Sequence, residues 1–271
     1  MPPPSPHDVL VLGAGAAGLV AAFRAAELGA DVVLLEKNTR PGLKILISGG
    51  GRCNVTHDGD ARGVAEAFGE GGAFLRPALA AFPPRAVREM FEAEGVALYV
   101  EEESGKVFPR SETARDILDA LLRRLERSGA RLDCGAPAMA VKRSAGGFAV
   151  ETPRGTLHAR RVIVTTGGRS YAKTGTTGDG YAIAAGFGHT IVPTHPALVA
   201  LTSASPRVTG LAGIDLQDAE VRLLAPGATR PLARRRAPLL FTHQGLSGPA
   251  AMDVSRAVSG HPAPATLILA V

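Results

Sequence analysis

Asp8-Val9-Leu10-Val11-Leu12-Gly13-Ala14-Gly15-Ala16-Ala17-Gly18 is the stretch that decides how the chain is read. Its opening run is short, apolar and closed by glycine, as in a parallel strand covered on both faces. From Ala16 to Leu28 the alanine-rich segment favours helix, and Gly29 stands where a helix would stop. Asp31-Val-Val-Leu-Leu35 then reads as a second buried strand. Strand, helix and strand make one βαβ unit of about thirty residues.

The glycines between strand and helix have separate tasks. Gly13 allows the tight turn, Gly15 lets the backbone approach a pyrophosphate, and Gly18 permits close packing of helix on strand. The helix N-terminus directs N–H groups and a positive dipole at the anion. Ala14 and Ala17, the small residues of the same turn, are counted with these binding positions. Glu36, at the end of the second strand, is placed to accept hydrogen bonds from a ribose 2′-OH, which favours FAD or NAD over NADP. The plainer alternative is that these small residues only pack a tight turn.

Two further glycine-rich stretches carry polar groups. In Pro41-Gly-Leu-Lys44-Ile-Leu-Ile-Ser48-Gly49-Gly50-Gly51-Arg52-Cys53-Asn54-Val-Thr56, three successive glycines make a poor strand or helix. The loop can instead form an anion-binding nest, with charge from Lys44 and Arg52 and hydrogen bonds from Ser48 and Asn54; otherwise it is a flexible surface loop. Cys53 is either a redox partner or a packed thiol. Val162-Ile-Val-Thr-Thr166 runs apolar into Gly167-Gly168, as a parallel strand ending at a ligand-binding edge does. A helix from Asp179-Gly180 to about Gly186 follows, Asp179 serving either as its cap or as a ligand contact.

Between these stretches, Thr113 with Asp116 resembles a capping box, and Ile117, Leu118, Leu121, Leu122 and Leu125 recur at helical spacing until Gly129. Segments 138–142, 148–152 and 156–159 read as a β-meander. Beyond residue 192 prolines multiply and alternating stretches such as 219–224 predict strands; 265–271 reads as a buried strand with no visible partner.

With 271 residues, 45% of them hydrophobic, the chain can bury a full core. Its 33 glycines and 20 prolines follow no period, which excludes collagen-like repeats. Cys53 and Cys134 have neither disulfide-framework nor metal spacing, so no metal site is expected and a reducing compartment fits. The start, Met1 to Asp8, does not read as a signal peptide, and the longest apolar stretch, Val9 to Phe23, is glycine-interrupted and shorter than a membrane span; a cytoplasmic protein is expected. The net charge is +5 and the densest basic run is Arg234-Arg235-Arg236. Aromatic residues, 4% of the chain, do not interleave with the basic ones, so a nucleic-acid partner is not expected.

The chain resembles the BaiN-type family of bacterial flavoproteins, also described as NAD(P)/FAD-dependent, YhiN-like or aminoacetone-oxidase-like oxidoreductases. The matching features are the G-A-G-A-A-G turn with Glu36-Lys37, the G-L-K-I-L-I-S-G-G-G-R-C-N-V-T loop, and Phe108-Pro-Arg-Ser111. They continue with T-G-G and T-G-T-T-G-D-G-Y, and with Phe241-Thr-His243-Gln-Gly-Leu-Ser-Gly-Pro249. The resemblance implies an α/β fold: a Rossmann-type FAD-binding domain with a parallel central sheet and β-meander over residues 6–192, and part of a strand-rich, β-barrel-like domain over 193–271. It also implies a return segment completing the flavin site. That segment is missing here, so the chain is expected to stop before the enzyme is complete.

Lys37 and Ala138 join the positions expected to hold the cofactor. The implied function is an FAD-dependent oxidoreductase that moves hydride from NAD(P)H, a transient co-substrate, to a small-molecule acceptor. Oxygen is an alternative acceptor. His243 is the nominated proton donor, against a purely structural role in its turn. Two other readings stand beside this one: an FAD-dependent RNA-modifying enzyme, which the basic charge suits, and a catalytically incompetent flavoprotein fragment.

Overall fold

The computed structural model describes residues 6–271; the opening prolines and the remainder of Met1–Ser5 lie outside the described residues. The chain divides into two compact units between Ile191 and Val192.

The first unit begins with β1 (His7–Leu12), α1 (Ala16–Glu27) and β2 (Val32–Glu36), the βαβ unit expected from the glycine turn. Residues 9–12 of β1 and 32–35 of β2 are continuously apolar because both faces are covered there. Val9, Val11, Val32 and Leu34 pack into one core with Leu19, Ala22 and Phe23 of α1. Leu10, Leu12, Val33 and Leu35 pack into another with Ala136, Val150 and Ala159.

After β2 come α2 (Leu43–Ile47), β3 (Thr56–His57), α3 (Ala61–Ala67), α4 (Gly72–Ala81), α5 (Pro84–Ala93), β4 (Leu98–Glu101) and β5 (Lys106–Pro109). This excursion carries a small antiparallel sheet in the order β3-β5-β4. Helix α6 (Ala114–Ser128) is the amphipathic helix of the leucine pattern: Thr113 Oγ1 caps it by accepting from Arg115 N, and Gly129 ends it in the left-handed region. Ile117, Leu118, Leu121 and Leu125 bury its apolar stripe in the α1-side core.

Next are β6 (Arg131–Cys134), β7 (Ala140–Ser144), β8 (Gly147–Thr152), β9 (Gly155–Val164) and α7 (Asp179–Gly186). The main sheet runs β6-β2-β1-β9-β8-β7. Its β6, β2, β1 and β9 are parallel, and β8 and β7 add an antiparallel wing. One expectation is corrected here. The third meander strand and the following parallel strand are a single ten-residue strand, β9, antiparallel to β8 through Gly155–Ala159 and parallel to β1 through Ala159–Val164. Arg160 and Arg161 break the apolar pattern without breaking the strand, because both are exposed.

The second unit contains β10 (Leu201–Thr202), α8 (Pro206–Thr209), β11 (Asp215–Leu224), β12 (Ala233–Thr242), β13 (Gly245–Ser247), α9 (Gly248–Ser259) and β14 (Ile268–Ala270). Its antiparallel sheet is ordered β10-β13-β12-β11-β14. The alternation in β11 places Ala219, Val221 and Leu223 inward, and Ala250, Ala251 and Val254 of α9 cover that face. The final apolar stretch is also corrected: only Ile268–Ala270 is strand, it does have a partner in β11, and Ile268 stands 52% exposed. Among the described residues no helix is long and apolar enough to cross a membrane.

Candidate cofactor site

A cavity of about 490 Å³ opens where β1, β2 and β9 end, within the first unit. Gly13, Ala14, Gly15 and Ala17 form its floor. A Cβ added at Gly18 would lie 1.8 Å from the Gly13 carbonyl oxygen, so only glycine lets α1 press onto the turn. At Gly15 an added Cβ meets no protein atom within 4 Å. That space is therefore open for a ligand. Gly15 is the N-cap of α1 and the first helical bond is Leu19 N–H to its carbonyl, which leaves the amides of Ala16, Ala17 and Gly18 without helical partners.

Glu36 is 6% exposed and accepts from three protein donors. Its Oε2 accepts from Ala14 N (2.8 Å), and its Oε1 accepts from Asn38 N (2.8 Å) and Asn38 Nδ2 (2.6 Å). A carboxylate offers about four lone-pair sites. One therefore remains for a ligand hydroxyl, on a group whose orientation is fixed from three directions.

Both candidate lysines line the cavity, and both are held by the segment between β9 and α7. Lys37 Nζ donates to Thr177 Oγ1 (2.7 Å) and Asp179 Oδ2 (2.7 Å). Lys44 Nζ donates to the Ser170 carbonyl (2.8 Å) and Thr176 Oγ1 (2.9 Å), and burial lowers its pKa. Hydrogen bonding from Lys37, then from Thr177, holds the Asp179 carboxyl below its usual range against the opposing cost of burial. Asp179 thus starts α7 without capping it, since the N-cap is Gly178 and has no side-chain bond.

The glycine loop is more ordered than its composition suggests. Leu43–Ile47 is helical and Ser48–Gly51 is a tight turn with Gly49 and Gly50 left-handed (φ 55° and 69°). Ser48, Cys53 and Asn54 line the cavity, whereas Gly49, Gly51 and Arg52 do not. Burial raises the Cys53 thiol pKa, and Cys53 and Cys134 are both free. Thr166, Gly167 and Ala138 also reach the wall; Gly168 and Gly180 stand behind it. Gly180 lets α7 approach the strand end, since a Cβ there would be 2.7 Å from Thr166 Oγ1. That hydroxyl is buried and has no hydrogen-bond partner. His243 lies in the second unit, exposed, at the first position of the two-residue turn between β12 and β13.

Residues 7–246 match the model of the HI0933-like protein Rossmann domain. The chain belongs to the HI0933-like family. Among relatives, a 3-dehydro-bile acid delta(4,6)-reductase of Clostridium scindens is 34% identical over 92% of this chain and 60% of its own length. A ribosomal RNA dihydrouridine synthase of Escherichia coli is 31% identical over 92% of this chain and 60% of its own length. The chain thus spans about three fifths of the relatives it matches. A flavocytochrome c3 fumarate reductase in an open conformation shares the fold, with a TM-score of 0.51 and 20% identity over 84% of this chain and 50% of that one.

The HI0933-like chain also builds its cavity from residues that motif reading passed over. Asn38 clamps Glu36 and donates to the Thr174 carbonyl at 3.3 Å. Its position two residues beyond the acid was the available signal. Val87, Met90 and Phe91 of α5 and Ile117 and Leu121 of α6 supply an apolar wall. Ile117 and Leu121 read as core from their spacing, and nothing local distinguishes a core residue that borders a cavity from one that does not.

Proposed function

We propose that this chain binds FAD and forms the dinucleotide-holding part of an oxidoreductase that reduces a small organic molecule with electrons from NAD(P)H. One observation carries the reading: Gly15 opens on protein-free space beneath the N-terminus of α1, while Glu36 waits at the end of β2 with its carboxylate already oriented. The α1 amides would hold the pyrophosphate, Glu36 a ribose hydroxyl, and the unpartnered Thr166 hydroxyl a further polar atom of the cofactor. Since Lys37 and Lys44 are committed to the β9–α7 segment, the anion would rest chiefly on backbone dipoles. Bound FAD would supply hydride chemistry between a nicotinamide and an acceptor.

The named reductase among the relatives supports reduction of a small molecule. His243 is the proposed proton donor: an His243→Ala variant should lose turnover and keep its flavin. The visible spectrum of the purified chain, with chromatography of what heat releases, tests the reading directly. Stoichiometric FAD is expected, and a folded but colourless protein that binds no added FAD would refute it.

A second reading, reduction of a base in RNA, is favoured by the relatives named ribosomal RNA dihydrouridine synthases. Against it, two arginines of the basic run are already paired, Arg235 with Asp253 (2.7 Å) and Arg236 with Asp218 (2.6 Å). RNA binding that weakens steeply with salt would support this reading.

A further inference from the structure

Two sequence signatures, Ser48-Gly-Gly-Gly-Arg52-Cys53-Asn54 and Phe108-Pro-Arg-Ser111, meet in the fold. Phe108 of β5 is 1% exposed, and the glycine loop stacks Arg52 on its ring and brings Gly49 close to the ring edge. A Cβ added at Gly49 would stand 3.0 Å from Phe108 Cε1, and the Arg52 guanidinium carbon lies 3.9 Å from the ring centroid. Arg52 Nη1 donates to Glu101 Oε1 (3.1 Å), and more loosely to Glu112 Oε2 (3.4 Å) and Tyr99 OH (3.4 Å). Its Nε returns to the Gly49 carbonyl at 3.4 Å.

A guanidinium stacked on an aromatic ring and flanked by two carboxylates has its charge paired and its Nη1 and Nε donors turned to protein acceptors. Arg52 is also absent from the residues that line the cavity. The backbone beside it is equally constrained: Cys53 sits at φ 65°, a region a non-glycine residue keeps only when its surroundings enforce it. Cys53 N–H donates to the Ser48 carbonyl at 3.0 Å, closing the loop just where Ser48, Cys53 and Asn54 form cavity wall.

We propose that Arg52 is a positioning residue: by clasping Phe108, Glu101 and Glu112 it holds the glycine loop in the conformation that turns Ser48, Cys53 and Asn54 toward the cofactor cavity. The inference rests on the reading that this cavity takes FAD. It assigns Phe108 a matching task, as the platform that both Gly49 and Arg52 press against.

The test uses a Cys134→Ser background, in which Cys53 is the only thiol. Its rate of reaction with a maleimide, measured without cofactor, reports the loop, and quenching of FAD fluorescence gives the dissociation constant. Arg52→Gln should raise the labelling rate at least tenfold and weaken FAD at least tenfold, with circular dichroism unchanged. Glu101→Gln, outside the cavity wall, should shift both readouts in the same direction, and Arg52→Lys should fall between, keeping charge without the planar fork. Weaker FAD binding with unchanged labelling would make Arg52 a direct cofactor ligand and overturn the proposal, as would two unchanged readouts. Should Arg52→Gln unfold, Glu101→Gln decides by the same criteria. A parent protein that binds no FAD would sink the flavin reading, while the labelling rates would still decide whether Arg52 holds the loop.

Discussion

Alanine at Gly15 and alanine at Gly18 should act on different properties, one on binding and one on stability, although the two glycines stand only three positions apart. At Gly18 the new Cβ would sit 1.8 Å from Gly13 O and 2.7 Å from Thr165 Oγ1. Carbon and oxygen settle at about 3.3 Å or more, so α1 would have to lift by roughly 1.5 Å. Thr165 cannot yield easily, because its hydroxyl donates to the Leu12 and Gly13 carbonyls at 2.9 and 3.0 Å. Overpacking of this kind costs about 1–3 kcal/mol, less up to about 1 kcal/mol for replacing a helical glycine. For a unit of this size the middle of the resulting span, a net loss of about 1–2 kcal/mol, lowers the melting temperature by roughly 2–8 °C.

At Gly15 the Cβ meets nothing and φ is −81°, so stability should fall by no more than about 1 kcal/mol, the scale of exchanging a glycine N-cap for an alanine one. The methyl would instead occupy the space assigned to the pyrophosphate. Losing one hydrogen bond to a charged group costs about 1.5–3 kcal/mol, or roughly 10- to 150-fold in affinity. Thermal melts of the apo proteins and FAD fluorescence titrations separate the two effects. Gly15→Ala binding FAD within about twofold of the parent would refute the placement of the cofactor, and an unchanged melt for Gly18→Ala would refute the packing argument.

Glu36→Gln sets an amide donor against the donors of Ala14 and Asn38, so a loss of about 1–3 kcal/mol in chemical unfolding is expected together with weaker FAD binding; retention of both would contradict the oriented-carboxylate picture. The Asp179 carboxyl is held below its unfolded value of about 3.9. Its stabilising contribution is therefore complete above that pH and fades as pH falls through the folded value. The gap in melting temperature between the parent and Asp179→Asn should accordingly narrow as the pH falls below about 4, and a gap independent of pH would count against the Lys37 pairing. Leu118, 2% exposed in the core beneath Gly42, should cost about 2–5 kcal/mol when cut to alanine, read by urea unfolding.

Much of the cofactor half was legible in the chain because its determinants are local. Gly13, Gly15, Gly18 and Glu36 lie within one βαβ unit, where strand, turn and helix follow from neighbours in sequence. Periodicity likewise identified α6, and alternation identified β11. What escaped depends on partners distant along the chain. Lys44 read as an anion ligand by composition and Lys37 as a cofactor contact by resemblance, but Thr177, Asp179, Ser170 and Thr176, more than a hundred positions away, hold their ammonium groups. Arg52 read the same way until the fold set Glu101, Glu112 and Phe108 around it. The two arginines inside β9 looked like a break because no local pattern reveals that one strand pairs with β8 along its first half and with β1 along its second. By itself the sequence determined which backbone could approach a dinucleotide, since steric permission belongs to single residues. Which charges remain free to meet it was decided only by tertiary structure, since a charge is spent on whatever partner the fold brings within hydrogen-bonding distance.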